Sequence, residues 1–261
     1  MGNDSFYKQM VDRNIGVLSN EEQERLRNSC VAVGGCGGMG GLSIVQLVRL
    51  GVGRIKIADF DTFQVHNLSR QCRSTSKNVG RNKTEVISEY CKEINPELKM
   101  DIFLDGVKPK NVEKFVDGAD AVIDGMDYTY IEDTVALYRL ARQKGLCVVN
   151  PNAIGFGVSV LVFGPKTVSI EEYFGLSADA KRAEIEKLAP YIPTYADKEI
   201  MRKAAMKEIN IPNIIMPQNL GTAVAVSEAV MILLGRVEPP AGPNPRIFIL
   251  DLQDRKFVVT G

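Results

Sequence analysis

The chain has 261 residues, 45% of them hydrophobic and 25% charged, with 32 Lys and Arg set against 32 Asp and Glu. That apolar content supports a sizeable core and excludes a disordered tail protein. A formal net charge of zero argues against a broad nucleic-acid coat, so nucleic acid is not an expected partner. Cys30, Cys36, Cys72, Cys91 and Cys147 are an odd, scattered set that suits a reducing cytoplasm rather than a disulfide scaffold. The polar start MGNDSFYKQMVDRN does not read as a secretory signal, and no run of about 18 apolar residues predicts a membrane span. A cytoplasmic location is expected.

The first 150 residues alternate short apolar runs with helical patterns. Cys30 to Val33 reads as a buried strand, followed by glycines and an apolar helix that stops at Gly51. Arg54 to Ala58 is the next strand. Asn82 to Ile94 is an amphipathic helix with Val86, Ile87, Tyr90, Cys91 and Ile94 on one face. Met100, Ile102 and Leu104 alternate as in a half-buried strand. Ala121 to Ile123 and Cys147 to Val149 are strands around a helix from Ile131 to Lys144. Beyond them, Val158 to Phe163 is a strand, Ala178 to Leu188 and Asp197 to Ile209 are exposed helices, and Val224 to Leu234 is an apolar helix. RIFILDL and KFVVT form a terminal hairpin. Met201, Met206 and Met216 read as gap-filling core residues.

Strand–helix alternation predicts an α/β fold, a doubly wound Rossmann-like sheet. It is mostly parallel in the first half, with antiparallel strands added by the C-terminal part. Residues 1–28 read as an N-terminal helical arm and 29–261 as a single domain. Within that domain, 29–150 is the nucleotide-binding half. The substrate-side half, 151–261, carries a helical insert over about 165–215.

Gly35-Cys-Gly-Gly-Met-Gly40 fits G-x-G-x-x-G after a strand and before a helix. Glycines let backbone amides approach phosphates, and the helix N-terminus adds partial positive charge. Asp59, 19 residues beyond Gly40 at a strand end, is placed to hold a ribose hydroxyl, in either NAD or ATP. The stretch from Asp59 to Gln71 discriminates. A nicotinamide enzyme has no need of this polar, basic loop, whereas a triphosphate needs cations such as Arg70 and Lys83. Asp127, in Asp124-Gly-Met-Asp, follows a buried strand and could hold Mg²⁺.

These pieces occur together and in order: GCGGMG, DFD, NLSRQ, a lysine after GRN, and a strand ending in DGMD. The combination resembles the ThiF/MoeB/HesA family, the ubiquitin-activating-enzyme-like adenylyltransferases. The resemblance implies that Gly35, Gly37, Gly38 and Gly40 line the phosphates of ATP. Asp59 would hold the ribose, with Asp61 beside it. Asn67, Arg70, Gln71 and Lys83 would surround the triphosphate, and Asp127 would bind Mg²⁺. Arg13 would reach in trans across a homodimer to the partner's ATP. His66 reads as an ordinary loop histidine and Cys72 as a small, half-buried residue.

The reaction so implied is attack of a carboxylate on the α-phosphorus of ATP, giving an acyl adenylate and pyrophosphate. The expected partner is the C-terminal tail of a small ubiquitin-like sulfur carrier or of a precursor peptide. Alternatives are a relative acting on a modified tRNA adenosine, an NAD-dependent oxidoreductase, and a catalytically inactive partner subunit. The chain departs from many such enzymes in having no C-x-x-C pair, so no zinc is predicted. No cysteine follows Cys147, so no late acyl-carrying thiol is expected.

Overall fold

Two helices precede the sheet, α1 (Asn3–Met10) and α2 (Asn20–Asn28). Ser19 fixes the start of α2: its Oγ accepts the Glu22 amide, and the Glu22 carboxylate accepts the Ser19 amide at 2.8 Å, a reciprocal capping box. The computed structural model describes residues 3–127, 130–176, 190–206 and 208–261. The helix expected over Ala178 to Leu188 lies outside them.

The chain then runs β1 (Cys30–Gly34), α3 (Gly38–Leu50), β2 (Arg54–Ala58), α4 (Lys83–Ile94), β3 (Lys99–Phe103), α5 (Val112–Val116), β4 (Ala121–Asp124) and α6 (Ile131–Gln143). It continues as β5 (Val148–Ile154), β6 (Gly157–Phe163), α7 (Ile170–Phe174), α8 (Lys198–Ala205), α9 (Ile215–Leu234), β7 (Arg246–Asp251) and β8 (Lys256–Thr260). One sheet takes all eight strands in the order β3-β2-β1-β4-β5-β6-β7-β8. The first five are parallel and the rest antiparallel, as the sequence predicts.

Period-two alternation sends Val31, Val33, Ile55 and Ile57 to the face covered by α3, α4 and α9, and Ala32, Ala58 and Val122 to the face covered by α5, α6 and α7. Both faces being covered, the strands read as continuous apolar runs. The strand order reverses between β1 and β4 neighbours, which is where such sheets hold ligands, at the carboxyl ends of the strands.

Four features differ from the sequence reading. The short helices α5 and α7 are additional. β5 runs on to Ile154 through Asn150-Pro-Asn152, because all seven of its residues pair with β6. α9 begins nine residues before Val224, since Pro217 falls in its first turn, where the missing amide costs no bond. Met206 and Met216 are 60% and 43% exposed, at the ends of α8 and α9 rather than on their buried faces, so they do not fill core gaps. α9 also has the length and apolarity of a membrane span. Its composition follows from packing between α3 and the sheet, which buries Ala225, Val226, Ala229 and Leu233.

Candidate active site

β1 ends at Gly34 and α3 starts at Gly38, so three residues make the turn. Gly35 has φ +83°, and a Cβ there would stand 2.4 Å from the Gly125 carbonyl oxygen. A Cβ on Gly40 would stand 1.8 Å from the Gly35 oxygen. Both positions exclude every other residue. Gly37 is open by comparison, its nearest would-be contact being Gln71 Nε2 at 3.5 Å. No acidic side chain lies in the first turn of α3 and no side chain caps it. The first-turn amides and the positive end of the helix dipole therefore remain available to an anion.

Asp59 locks this loop to the next one. Its Oδ2 accepts the Cys36 amide at 2.7 Å and its Oδ1 the Asp61 amide at 2.8 Å. Burial raises its carboxyl above the ordinary range, and the Lys83 charge and the two amides oppose the rise. Each oxygen keeps a lone pair for a further donor. Lys83 opens α4, with Asn82 as its cap, and donates Nζ to Asp61 Oδ2 at 2.9 Å.

Asn67, Arg70 and Gln71 share one helical turn, in which the Arg70 and Gln71 amides both donate to the Asn67 carbonyl. Spacings of three and four residues put them on one face. Asn67 Oδ1 accepts the Gln64 amide at 2.9 Å and sets the start of the turn. Arg70 is half-buried, and its Nη1 donates to the His66 carbonyl at 2.9 Å. Among the described residues no carboxylate pairs with it, and burial lowers its pKa. His66 thus contributes a backbone oxygen and leaves its ring in solvent. Gln71 is buried, and its Oε1 has no hydrogen-bond partner among the described residues.

The β4 end brings up the last group. The Gly125 amide donates to the Gly34 carbonyl at 2.8 Å, so the 124–127 turn rests on the glycine loop and carries Asp127 at its exposed end. Arg13 does not join this cluster. Asn14 Nδ2 donates to the Leu50 carbonyl, at the far end of α3 from the glycine loop. From Gly38 to Leu50 is twelve steps of 1.5 Å, which put that end roughly 18 Å away.

The ThiF family matches residues 11–257. This chain belongs to the ThiF family. It is 32% identical over 262 residues to the sulfur carrier protein adenylyltransferase of Thermus thermophilus, covering 98% of this chain and 87% of that one. It is 36% identical over 115 residues to the tRNA threonylcarbamoyladenosine dehydratase of Haemophilus influenzae, spanning less than half of either chain, 44% in each case. In fold it is similar to the crystal structure of the Escherichia coli tRNA threonylcarbamoyladenosine dehydratase with ATP, at a TM-score of 0.67 and 22% identity, over 88% of this chain and 95% of that one. The ThiF-family chain is thus of the adenylyltransferase type, the type for which its Thermus relative is named.

The residues present fit a bound triphosphate. The loop offers an uncapped helix N-terminus, a guanidinium with no carboxylate partner among the described residues, and the Gln71 carboxamide nitrogen beside Gly37. Among the described residues no three His, Cys, Asp or Glu side chains cluster as a metal cage. A magnesium ion shared between one carboxylate and phosphate oxygens needs none.

Sequence reasoning missed three groups here. Phe60 and Tyr130 meet edge to face at 5.3 Å, each 42% exposed, under the Lys108 ammonium. Two large exposed aromatics, one of them next to Asp59 in the chain, offer a surface on which a flat ring can stack, and Phe60 lies inside the DFD motif. Asp124 is buried, its Oδ1 accepting the Met126 amide at 3.0 Å and its Oδ2 the Asn150 side-chain amide at 3.2 Å. Gln218, in the first turn of α9, packs against Gly38.

Proposed function

We propose that this ThiF-family chain is an ATP-dependent adenylyltransferase. It would activate the C-terminal carboxylate of a small ubiquitin-like sulfur carrier or precursor peptide. The observation that carries the reading is Arg70: a half-buried cation with no acidic partner among the described residues, next in the chain to Gln71, whose carboxamide stands at Gly37. Such a charge is costly to desolvate unless an anion completes it.

The chain's residues divide the work. Asp59 accepts from the ribose hydroxyls with its spare lone pairs, and the amides following Gly37 hold phosphate oxygens. Arg70 and Lys83 offset the repulsion between two anions, and the preorganised cluster holds them in line. The substrate carboxylate oxygen forms a bond to the α-phosphorus, the bond from that phosphorus to the bridging oxygen breaks, and pyrophosphate leaves. Asp127 would hold Mg²⁺, which supplies charge neutralisation at the phosphates. Arg13 would serve a partner's site in a homodimer.

A peptide terminus is favoured by the Thermus relative, whose similarity runs nearly end to end and whose name specifies a sulfur carrier protein. A modified tRNA adenosine is the second reading, favoured by the 36% identity to the dehydratase. The zero net charge and the partial span of that match weigh against it. The test is exchange of labelled pyrophosphate into ATP with a Gly-Gly-ended carrier, a precursor peptide or tRNA supplied in turn. Exchange stimulated by a carrier or peptide, and lost in Arg70→Ala and Asp127→Ala, is expected. Stimulation by tRNA alone, or full exchange in either variant, would overturn the assignment.

A further inference from the structure

The first turn of α9, within the run Ile214 to Gly221, carries the buried carboxamide of Gln218. We propose that the Gln218 carboxamide is a further phosphate-binding group, donating its Nε2–H to the nucleotide held at the glycine loop. The proposal rests on the adenylation reading and adds to it a residue from the substrate-side half of the chain.

Gln218 is 3% exposed, and its Oε1 is buried with no hydrogen-bond partner among the described residues. Its carboxamide stands over Gly38, the first residue of α3: a Cβ there would lie 2.4 Å from Oε1 and 3.3 Å from Nε2. The packing that brings it there is specific. One turn further along α9, a Cβ on Gly221 would stand 2.9 Å from the Met39 Cε, so the two helices approach through glycine. Thr222 Oγ1 accepts from Gln46 Nε2 at 3.1 Å and donates to the Gln218 carbonyl at 2.9 Å, which fixes the turn. On the next residue of the loop, Gln71 Nε2 lies 3.5 Å from the same construction at Gly37, and Gln71 Oε1 is also buried and unpartnered. Two buried carboxamides therefore flank two consecutive glycines at an uncapped helix N-terminus.

A buried carboxamide left without a partner is destabilising, and a ligand between the two would relieve it. Half a turn about its last bond exchanges the oxygen for the NH₂, so the same side chain meets a phosphate with a donor. A neutral donor suits this position, since it favours phosphate charge without competing with Arg70 or Lys83.

The test measures ATP and adenosine binding to the full chain by calorimetry. Gln218→Glu keeps the shape but sets a carboxylate against the phosphates, and Gln218→Met keeps the length without a donor. ATP affinity is expected to fall at least ~30-fold in the first and ~5-fold in the second, from a charge-assisted bond reversed or removed. Adenosine, which lacks phosphates, should bind both variants as it binds the wild type. Unchanged ATP affinity in Gln218→Glu would overturn the proposal. So would parallel loss of adenosine in both variants, because the side chain would then be supporting the fold. A wild type that binds neither compound would overturn the adenylation reading itself, and this one with it.

Discussion

Lys83 Nζ donates to Asp61 Oδ2 at 2.9 Å, and the two ends of the pair differ: the lysine side chain is 7% exposed and the aspartate 53%. The cation is therefore fixed by packing, while its partner can be solvated away. An arriving phosphate can replace Asp61 without moving the ammonium. Lys83→Met should lower pyrophosphate exchange at least ~100-fold, the loss of about 3 kcal/mol expected when one charge-stabilising donor goes. Asp61→Asn should cost only ~3-fold, because the pair is half in water. Exchange rates at saturating ATP separate the two, and equal losses would show that the pair acts as a unit.

The glycine loop makes a geometric prediction. Gly40→Ala would put a methyl group 1.8 Å from the Gly35 oxygen, a backbone clash that no rotamer relieves, so the loop cannot form and the melting temperature should fall steeply. Gly37→Ala meets nothing closer than 3.5 Å and sits at φ −76°. It should keep the melting temperature within ~2 °C of wild type, yet weaken ATP binding, because its methyl group stands where phosphate oxygens approach the amides. Thermal melts with and without ATP distinguish the two variants.

What was legible in the sequence follows from how local each signal is. The glycine loop, Asp59 and the 67–71 turn depend on neighbours within five residues, and the structure draws Gly37 and Gln71, and Asp59 and Cys36, together. Gln218 was illegible as a ligand because its meaning comes from Gly38, 180 residues away in the chain. β5 was undercounted for the same reason, since Asn150-Pro-Asn152 reads as a loop until β6 pairs with it. Phe60 and Tyr130 were passed over because apolar residues are read as core, and only their 42% exposure sets them apart.

Arg13 yields a prediction about assembly. Its neighbour Asn14 is bonded to the Leu50 carbonyl, roughly 18 Å along α3 from the glycine loop by twelve steps of 1.5 Å. If it completes a partner's site, Arg13→Ala and Lys83→Met chains should each be inactive alone. Mixed, they should recover activity, because half of the sites in a mixed dimer carry neither change. Exchange assays on refolded mixtures check this, and no recovery at any ratio would remove Arg13 from the site.

Asp124 predicts the pH dependence of stability. The side chain is 2% exposed, and burial pushes its carboxyl up to about 6 from 3.8, outweighing the bonds from Met126, Tyr138 and Asn150 that favour the anion. The folded state thus holds this proton more tightly than the unfolded chain does. The stability it contributes is complete below about pH 4 and is lost as pH rises through about 6. At about 1.4 kcal/mol per pH unit the whole effect is about 3 kcal/mol. Asp124→Asn keeps the shape and cannot ionise, so its stability should be flatter between pH 4 and 6 by that amount. Urea denaturation of both proteins at half-unit intervals across this range measures the difference directly. Identical slopes would mean that the Asp124 carboxyl, despite its burial, titrates as it does in the unfolded chain.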